Sequence, residues 1–304
     1  MALPDDVRAT CARLTERATS VRLDEARLAG VLDAADPPPP PALDPERHFL
    51  EGSEADVAAY LLALDTINFG SGWWPTIRKR PSHSGYATMA AGVTDRFSSA
   101  GPWSTEESLA IDAAAIAGVV GQDPEHPLMA QFAAALRDVG AHLATEHGGR
   151  FLGPVEAASS IPELATTFAT WDAFADVSRY EAREVPFFKR AQLAAADLHR
   201  AGVADLPGLN RLTAFADNLV PHVLRVDGIL RLDPRLTARI EADELLDHGS
   251  PEEVELRACA VHAVELLAAA SPLTPAEIDS ALWNRGRAPR YKSTPRPRSR
   301  NTAY

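Results

Sequence analysis

The stretch Ser250-Pro-Glu-Glu-Val-Glu-Leu-Arg-Ala-Cys-Ala-Val-His-Ala-Val-Glu-Leu266 decides the fold class. A hydroxyl at Ser250 is placed to accept from an orphan backbone N–H three residues on. Pro251 suits the first helical position, and Glu253 is spaced to reach back to the cap. Behind that start, Val254, Ala258, Val261 and Leu266 recur at helical spacing. Outward from this segment the same device returns. Thr274-Pro-Ala-Glu277 precedes Ile278 and Leu282, and Ser104-Thr-Glu-Glu107 precedes Leu109, Ile111 and Ile116. Ser53 stands before Glu54-Ala-Asp56, with Val57, Leu61, Leu64 and Ile67 behind it. Four capped starts in one chain predict a mainly α fold.

Strand signals are few. Val223–Leu232 carries Asp227-Gly228 between β-prone arms, which predicts a small hairpin. Residues 5–34 predict an amphipathic helix pair or one bent helix, and the five prolines Pro37–Pro41 predict a polyproline II connector. No internal repeat is present, and helical patterns flank every loop. The expectation is a single compact helical domain with a small β-hairpin or sheet. It comprises an N-terminal helical segment 1–36, a proline spacer 37–41 and a body 42–304, packed as one unit.

A chain of 304 residues, 46% hydrophobic and 24% charged, can build a sizeable core and is not disordered. Cys11 and Cys259 stand alone, which argues against a disulfide framework and for a reducing compartment. No apolar run approaches the roughly 20 residues that span a bilayer. Met1-Ala-Leu-Pro-Asp-Asp lacks the basic start of a signal peptide. A cytoplasmic protein with no membrane partner is therefore expected, and a monomer, because no surface stripe stands out. The net charge of −12 opposes broad duplex binding, so no stable nucleic-acid partner is expected. The seven basic residues between Arg285 and Arg300, with no acidic one among them, still offer an anion a local grip. Cys-x-x-Cys, His-Glu-x-x-His, Gly-x-Ser-x-Gly, Walker and dinucleotide patterns are all missing, so neither metal nor cofactor is expected.

Most informative for function is Leu206-Pro-Gly-Leu-Asn-Arg-Leu-Thr-Ala-Phe-Ala-Asp217-Asn-Leu-Val-Pro-His222. Leu-Pro-Gly before a helix resembles the hairpin of helix-hairpin-helix proteins, where N–H groups at a helix N-terminus hold a phosphate. Asp217 falls in what reads as an apolar helical segment from Leu212 to Val220. It is either a surface group at a helix C-terminus or a charge held in a pocket.

The chain resembles the queuosine salvage proteins. The resemblance is carried by Ala63-Leu-Asp65-Thr-Ile-Asn68-Phe69, Ser84-Gly-Tyr86, Tyr180-Glu181 and Phe188-Lys189-Arg190-Ala-Gln192. It continues through Leu212-Thr-Ala-Phe-Ala-Asp217 with Val220-Pro221, Glu253-Val-Glu-Leu-Arg257 with Cys259, and Ile278-Asp279 with Leu282-Trp283. The blocks run in family order from about residue 48 to Tyr304.

That resemblance implies a helical fold related to base-excision DNA glycosylases, and hydrolysis of the N-glycosidic bond of queuosine 5′-phosphate to queuine and ribose 5-phosphate. It casts Asp217 as the catalytic carboxylate and Phe215 as the residue packing on the base. His48, Asp279, Ser280 and Asn284 become base contacts, although Ser280 and Asn284 depart from the residues the family places there. Lys189 and Arg190 are candidates for the phosphate. Asp65 is expected to be buried for structural reasons. The chemistry suits these residue types: an oxocarbenium-like state gathers positive charge at the sugar, and a carboxylate about 3 Å away stabilises it and orients water. Queuine lacks the N7 that purine hydrolases protonate, so the leaving-group acid is not named by this pattern. Two other readings stand beside it: a base-excising nucleic-acid glycosylase using Asp227, and a non-catalytic queuine-binding protein.

Overall fold

In the computed structural model, residues 2–31 and 43–304 are described; the proline run 37–41 lies outside them. Fourteen α-helices, four 3₁₀ turns and four short strands make up the regular structure of the described residues. The first group of helices is α1 (Leu3–Thr15), α2 (Glu54–Thr66), α3 (Gly85–Ala100), α4 (Thr105–Ala110) and α5 (Ala113–Val120). The middle group is α6 (Pro127–Glu146), α7 (Gly153–Ala157), α8 (Ile161–Ala169) and α9 (Lys189–Arg200). The last is α10 (Leu219–Val226), α11 (Pro234–Glu241), α12 (Pro251–Ala269), α13 (Pro275–Arg285) and α14 (Pro289–Lys292). Strands β1 (Val21–Leu23) and β4 (Leu230–Leu232) form one antiparallel pair; β2 (Val177–Tyr180) and β3 (Arg183–Pro186) form another.

The capped starts appear where the sequence puts them. Ser53, Ser104 and Thr274 each make a reciprocal box with the third helical residue. At Ser250 only half the box forms: its hydroxyl accepts from Glu253 N, while the Glu253 carboxylate turns to Gly249 N at 3.0 Å. Both cysteines are free and buried, in α1 and α12.

Two expected elements are different. Asp227-Gly228 does not turn a hairpin. It ends α10, with Gly228 at φ +77°. The Ile229 N–H reaches Leu224 O at 2.8 Å and the Gly228 N–H reaches Arg225 O at 2.9 Å, the paired bonds of a Schellman cap. The strand that follows finds its partner in Val21–Leu23, far back in the chain. The N-terminal region is accordingly not a helix pair but α1 followed by a strand and a 3₁₀ turn, Glu25–Arg27. The hairpin that does exist, β2–β3, turns on Glu181 and Ala182, both at positive φ, with no Asn or Gly to announce it.

Two apolar cores result. One gathers side chains of α2, α3, α5, α6, α8 and α9 around Tyr60, Phe97, Phe132, Phe168 and Trp171. The other joins α1, α10, α12 and α13 around Val7, Val220, Val261 and Leu282. Between them runs the segment 212–217, extended rather than helical. Phe215 packs into the first core, while Ala214 and Ala216 pack into the second, the two-residue alternation of extended backbone. Pro221 explains why no helix spans 212–226. Inside such a helix it would lack the N–H that bonds back to residue 217, whereas in the first turn of α10 that N–H is not needed.

Candidate active site

A buried extended segment must satisfy its backbone groups from side chains, and 212–217 does so through three separate helices. Gln192 of α9 accepts from Thr213 N at 3.0 Å and donates through Nε2 to Thr213 Oγ1 at 2.8 Å. Asp279 of α13 accepts from Phe215 N at 3.0 Å. Arg257 of α12 donates to Ala216 O at 2.9 Å. Arg257 also clamps Asp176 with both terminal nitrogens, at 2.9 and 2.7 Å, and Asp176 in turn accepts from Lys189 N at 3.0 Å. One buried network thus sets both the segment that carries Asp217 and the start of α9.

Asp217 is half-buried at the head of α10, where its Oδ1 accepts from Leu219 N at 2.7 Å and Val220 N at 3.1 Å. It is not the surface group at a helix C-terminus that was one expected alternative, since it accepts from N–H groups at a helix N-terminus. Leu206-Pro207-Gly208 leads only into a three-residue 3₁₀ turn, Leu209–Arg211, so the helix expected behind that tripeptide is not there.

Around Asp217 the structure gathers buried charge. Lys189, the first residue of α9, is almost wholly buried and donates through Nζ to Asn68 O at 3.1 Å. Burial and Arg190 depress its affinity for a proton, while Asp217, Asp65 and Asp279 act to raise it; burial prevails. Asp279 is held well above the usual carboxylate range by burial and by Asp217. Asp65, also buried, is raised by burial and by Asp197, against Lys189, Asn68 and Arg190. Asp197 pairs with Arg200 at 3.0 Å, and the Arg200 guanidinium lies 5.8 Å from the centre of the Phe215 ring.

The other expected residues fall as follows. His48 bonds through Nδ1 within its own turn, at Asp44, lies edge-on to Tyr60 and is close enough to Asp197 to act on its titration. Ser280 and Asn284 share one face of α13, each hydrogen-bonded to a carbonyl four residues back. Arg190, expected at a phosphate, spends its guanidinium on backbone carbonyls: Thr66 at 2.5 Å, Ala303 at 3.3 Å, Thr302 at 2.6 Å, and Ala173. It braces the site from behind, and desolvation lowers its pKa to about 10. Asp227, the alternative acid, sits at the far end of α10, bound by Tyr291 Oη at 2.8 Å and Arg285 at 3.2 Å.

The basic tail was expected to offer an anion a local grip. It folds along α10: Asn218 Nδ2 donates to Pro297 O at 3.0 Å, Arg225 donates to Pro295 O, and Leu246 N donates to Arg298 O at 2.8 Å. Arg296, between the two anchored prolines, is thereby brought within the field of Asp217. Tyr86 meets Trp283 of α13 edge-on at 6.3 Å, joining α3 to the same cluster. Glycine at 72 is a further sign that sequence reasoning passed over: a Cβ there would lie 2.3 Å from Ser299 O, so the tail packs directly on its backbone.

Residues 48–304 match the family model described as queuosine salvage protein, and the chain belongs to that family. Its relatives include a protein of Sphaerobacter thermophilus, 33% identical over the whole of both chains, and one of Dictyostelium discoideum, 30% identical over 81% of this chain and 78% of that one. A Bos taurus protein is 26% identical over 71% of this chain and 68% of its own length. All three are named queuosine 5′-phosphate N-glycosylase/hydrolase.

Proposed function

We propose that this chain hydrolyses the N-glycosidic bond of queuosine 5′-phosphate, releasing queuine, and that Asp217 stabilises the positive charge that grows on the ribose and orients the attacking water. The observation that carries this reading is the placement of Asp217. Its Oδ1 is fixed by two N–H groups of α10, and its charge acts on the buried Lys189 ammonium and on Asp279, the carboxyl that accepts from Phe215 N. A carboxylate fixed in advance loses no reorganisation energy as the oxocarbenium-like state forms. The family's relatives, named for this activity, support the substrate.

In this reading Phe215 and His48 border the base. Asp279, beside the Ser280 and Asn284 face of α13, meets the cationic amine of its side chain. Lys189 serves the phosphorylated sugar, with Arg190 holding its surroundings and Arg296 as a second cation beside Asp217. The chain acts as a monomer on the free nucleotide in the cytoplasm. A net charge of −12 and two buried free thiols support that setting. No described helix is long and apolar enough to cross a membrane.

The test is to incubate the protein with queuosine 5′-phosphate, the free nucleoside and a queuosine-containing tRNA, and to follow released base by mass. Release from the mononucleotide, lost in Asp217→Asn, is the expected result. Release from tRNA alone, or bound base without turnover, would overturn the reading.

A further inference from the structure

Asp65 is the buried acid that the site description leaves without a task. It lies in the last turn of α2, 1% exposed, and its Oδ2 has no hydrogen-bond partner among the described residues. A buried carboxyl oxygen without a partner costs on the order of 1–3 kcal/mol, and its neighbours do not explain why that cost is kept. Lys189 donates a hydrogen bond to Asn68 O, Asp197 is taken by Arg200, and Arg190 is engaged with carbonyls. Nor is Asp65 remote from the chemistry, for Lys189 is within the field of Asp65, Asp217 and Asp279 together.

We propose that Asp65 is the acid that assists departure of the base, donating a proton to the queuine ring as the glycosidic bond breaks. This rests on the hydrolase reading above and supplies what that reading lacks, an activator for a ring without N7. The C1′–N9 bond breaks with its electron pair passing to N9 and spreading over the ring. The proton of Asp65 passes to the ring, so the base leaves neutral. Water adds its oxygen to C1′ and gives a proton to Asp217. One water is consumed, and exchange with solvent returns both carboxyls to their starting states.

The protonation this requires agrees with the groups facing Asp65. Burial and the Asp197 carboxylate favour the neutral acid; Lys189 and Arg190 of α9 and the Asn68 side chain oppose it, and the first two causes prevail. Tyr86 of α3 and Tyr60 of α2 complete the surroundings, each held above the usual phenol range by burial. A carboxylic acid kept neutral by its site is a hydrogen-bond donor to developing anionic charge.

The test compares two leaving groups in the full chain. Queuosine 5′-phosphate needs a protonated leaving base; 4-nitrophenyl β-ribofuranoside 5-phosphate does not. Asp65→Asn is expected to lower kcat on the nucleotide about 100-fold or more, the scale of general acid catalysis, and to leave the nitrophenyl rate within about threefold. In the unaltered protein, kcat on the nucleotide should fall as pH rises through the titration of Asp65, and this limb should be absent with the nitrophenyl substrate. Equal losses on both substrates, or identical pH profiles in the unaltered protein, would overturn the assignment to Asp65 while leaving the hydrolase reading intact. Absence of any base release by the unaltered protein would overturn both. The pH comparison needs no substitution, so a variant that fails to fold does not blunt the test.

Discussion

Arg257 donates through Nε to the carbonyl oxygen of Ala216 at 2.9 Å, one residue before Asp217. The same guanidinium closes on Asp176 and lies 3.9 Å from the centre of the Phe187 ring and 4.3 Å from that of Tyr304. A buried carboxylate left without its cation costs about 3–5 kcal/mol. Arg257→Gln should therefore lower unfolding free energy by about that amount in chemical denaturation, and kcat should fall further than KM rises. The double variant Arg257→Met with Asp176→Leu should recover part of the stability and none of the kcat, because Ala216 O and Lys189 N still lack their anchors.

Capping and catalysis by Asp217 are separable. Asn accepts the same two N–H bonds, so Asp217→Asn should change stability by less than about 1 kcal/mol while lowering kcat about 100- to 1,000-fold. Asp217→Ala should lose the cap as well, and melt lower than the Asn variant. Asp227→Asn should retain near-normal turnover.

His222 is buried on α10, donates through Nε2 to Tyr291 O at 2.9 Å, and is pushed down to about 4 by burial, with Arg225 and Arg296 adding to the depression. The unfolded chain takes up a proton on this ring below about pH 6.5; the folded chain does so only near pH 4. The unfolded state thus binds more protons in that window, and stability falls as pH drops through it, by about 3 kcal/mol for this group. Denaturation at pH 7 and pH 4.5 should show the loss, and His222→Gln, which keeps a donor for Tyr291, should shrink it.

Gly72→Ala places a methyl group against the Ser299 carbonyl, which must move. A loss of about 1–3 kcal/mol is expected. Trypsin should cut after Arg298 or Arg300 faster than in the parent, since the tail is pushed off its seat.

The mainly α architecture was readable because capping boxes are local: each Ser or Thr with its acidic partner three residues on states a helix start without help from the rest of the chain. The site was readable only in its residue types. Asp217 was misplaced within a helix because Leu212–Val220 has helical apolar spacing, and the signal against it, Pro221 four residues after a capping Asp, lay just outside that window. Asp227-Gly228 followed a hairpin signature that a helix C-cap shares. The pairing of β1 with β4, the bracing by Arg190 and the tail's return to α10 join residues far apart in the chain. Periodicity and motif reading do not register such contacts.

Arg190 holds carbonyls at residues 66, 173, 302 and 303 at once. During synthesis the first of these emerges from the ribosome long before the last. Until residues 302 and 303 are in place, the Arg190 guanidinium lacks two of its four carbonyl partners and the scaffold behind Lys189 is unfinished. The support behind Lys189 is therefore completed by residues 302 and 303, more than a hundred positions after Arg190. A nascent chain that has not yet reached residue 302 already holds Asp65, Asp217 and Asp279 but lacks two of the four carbonyls that hold Arg190.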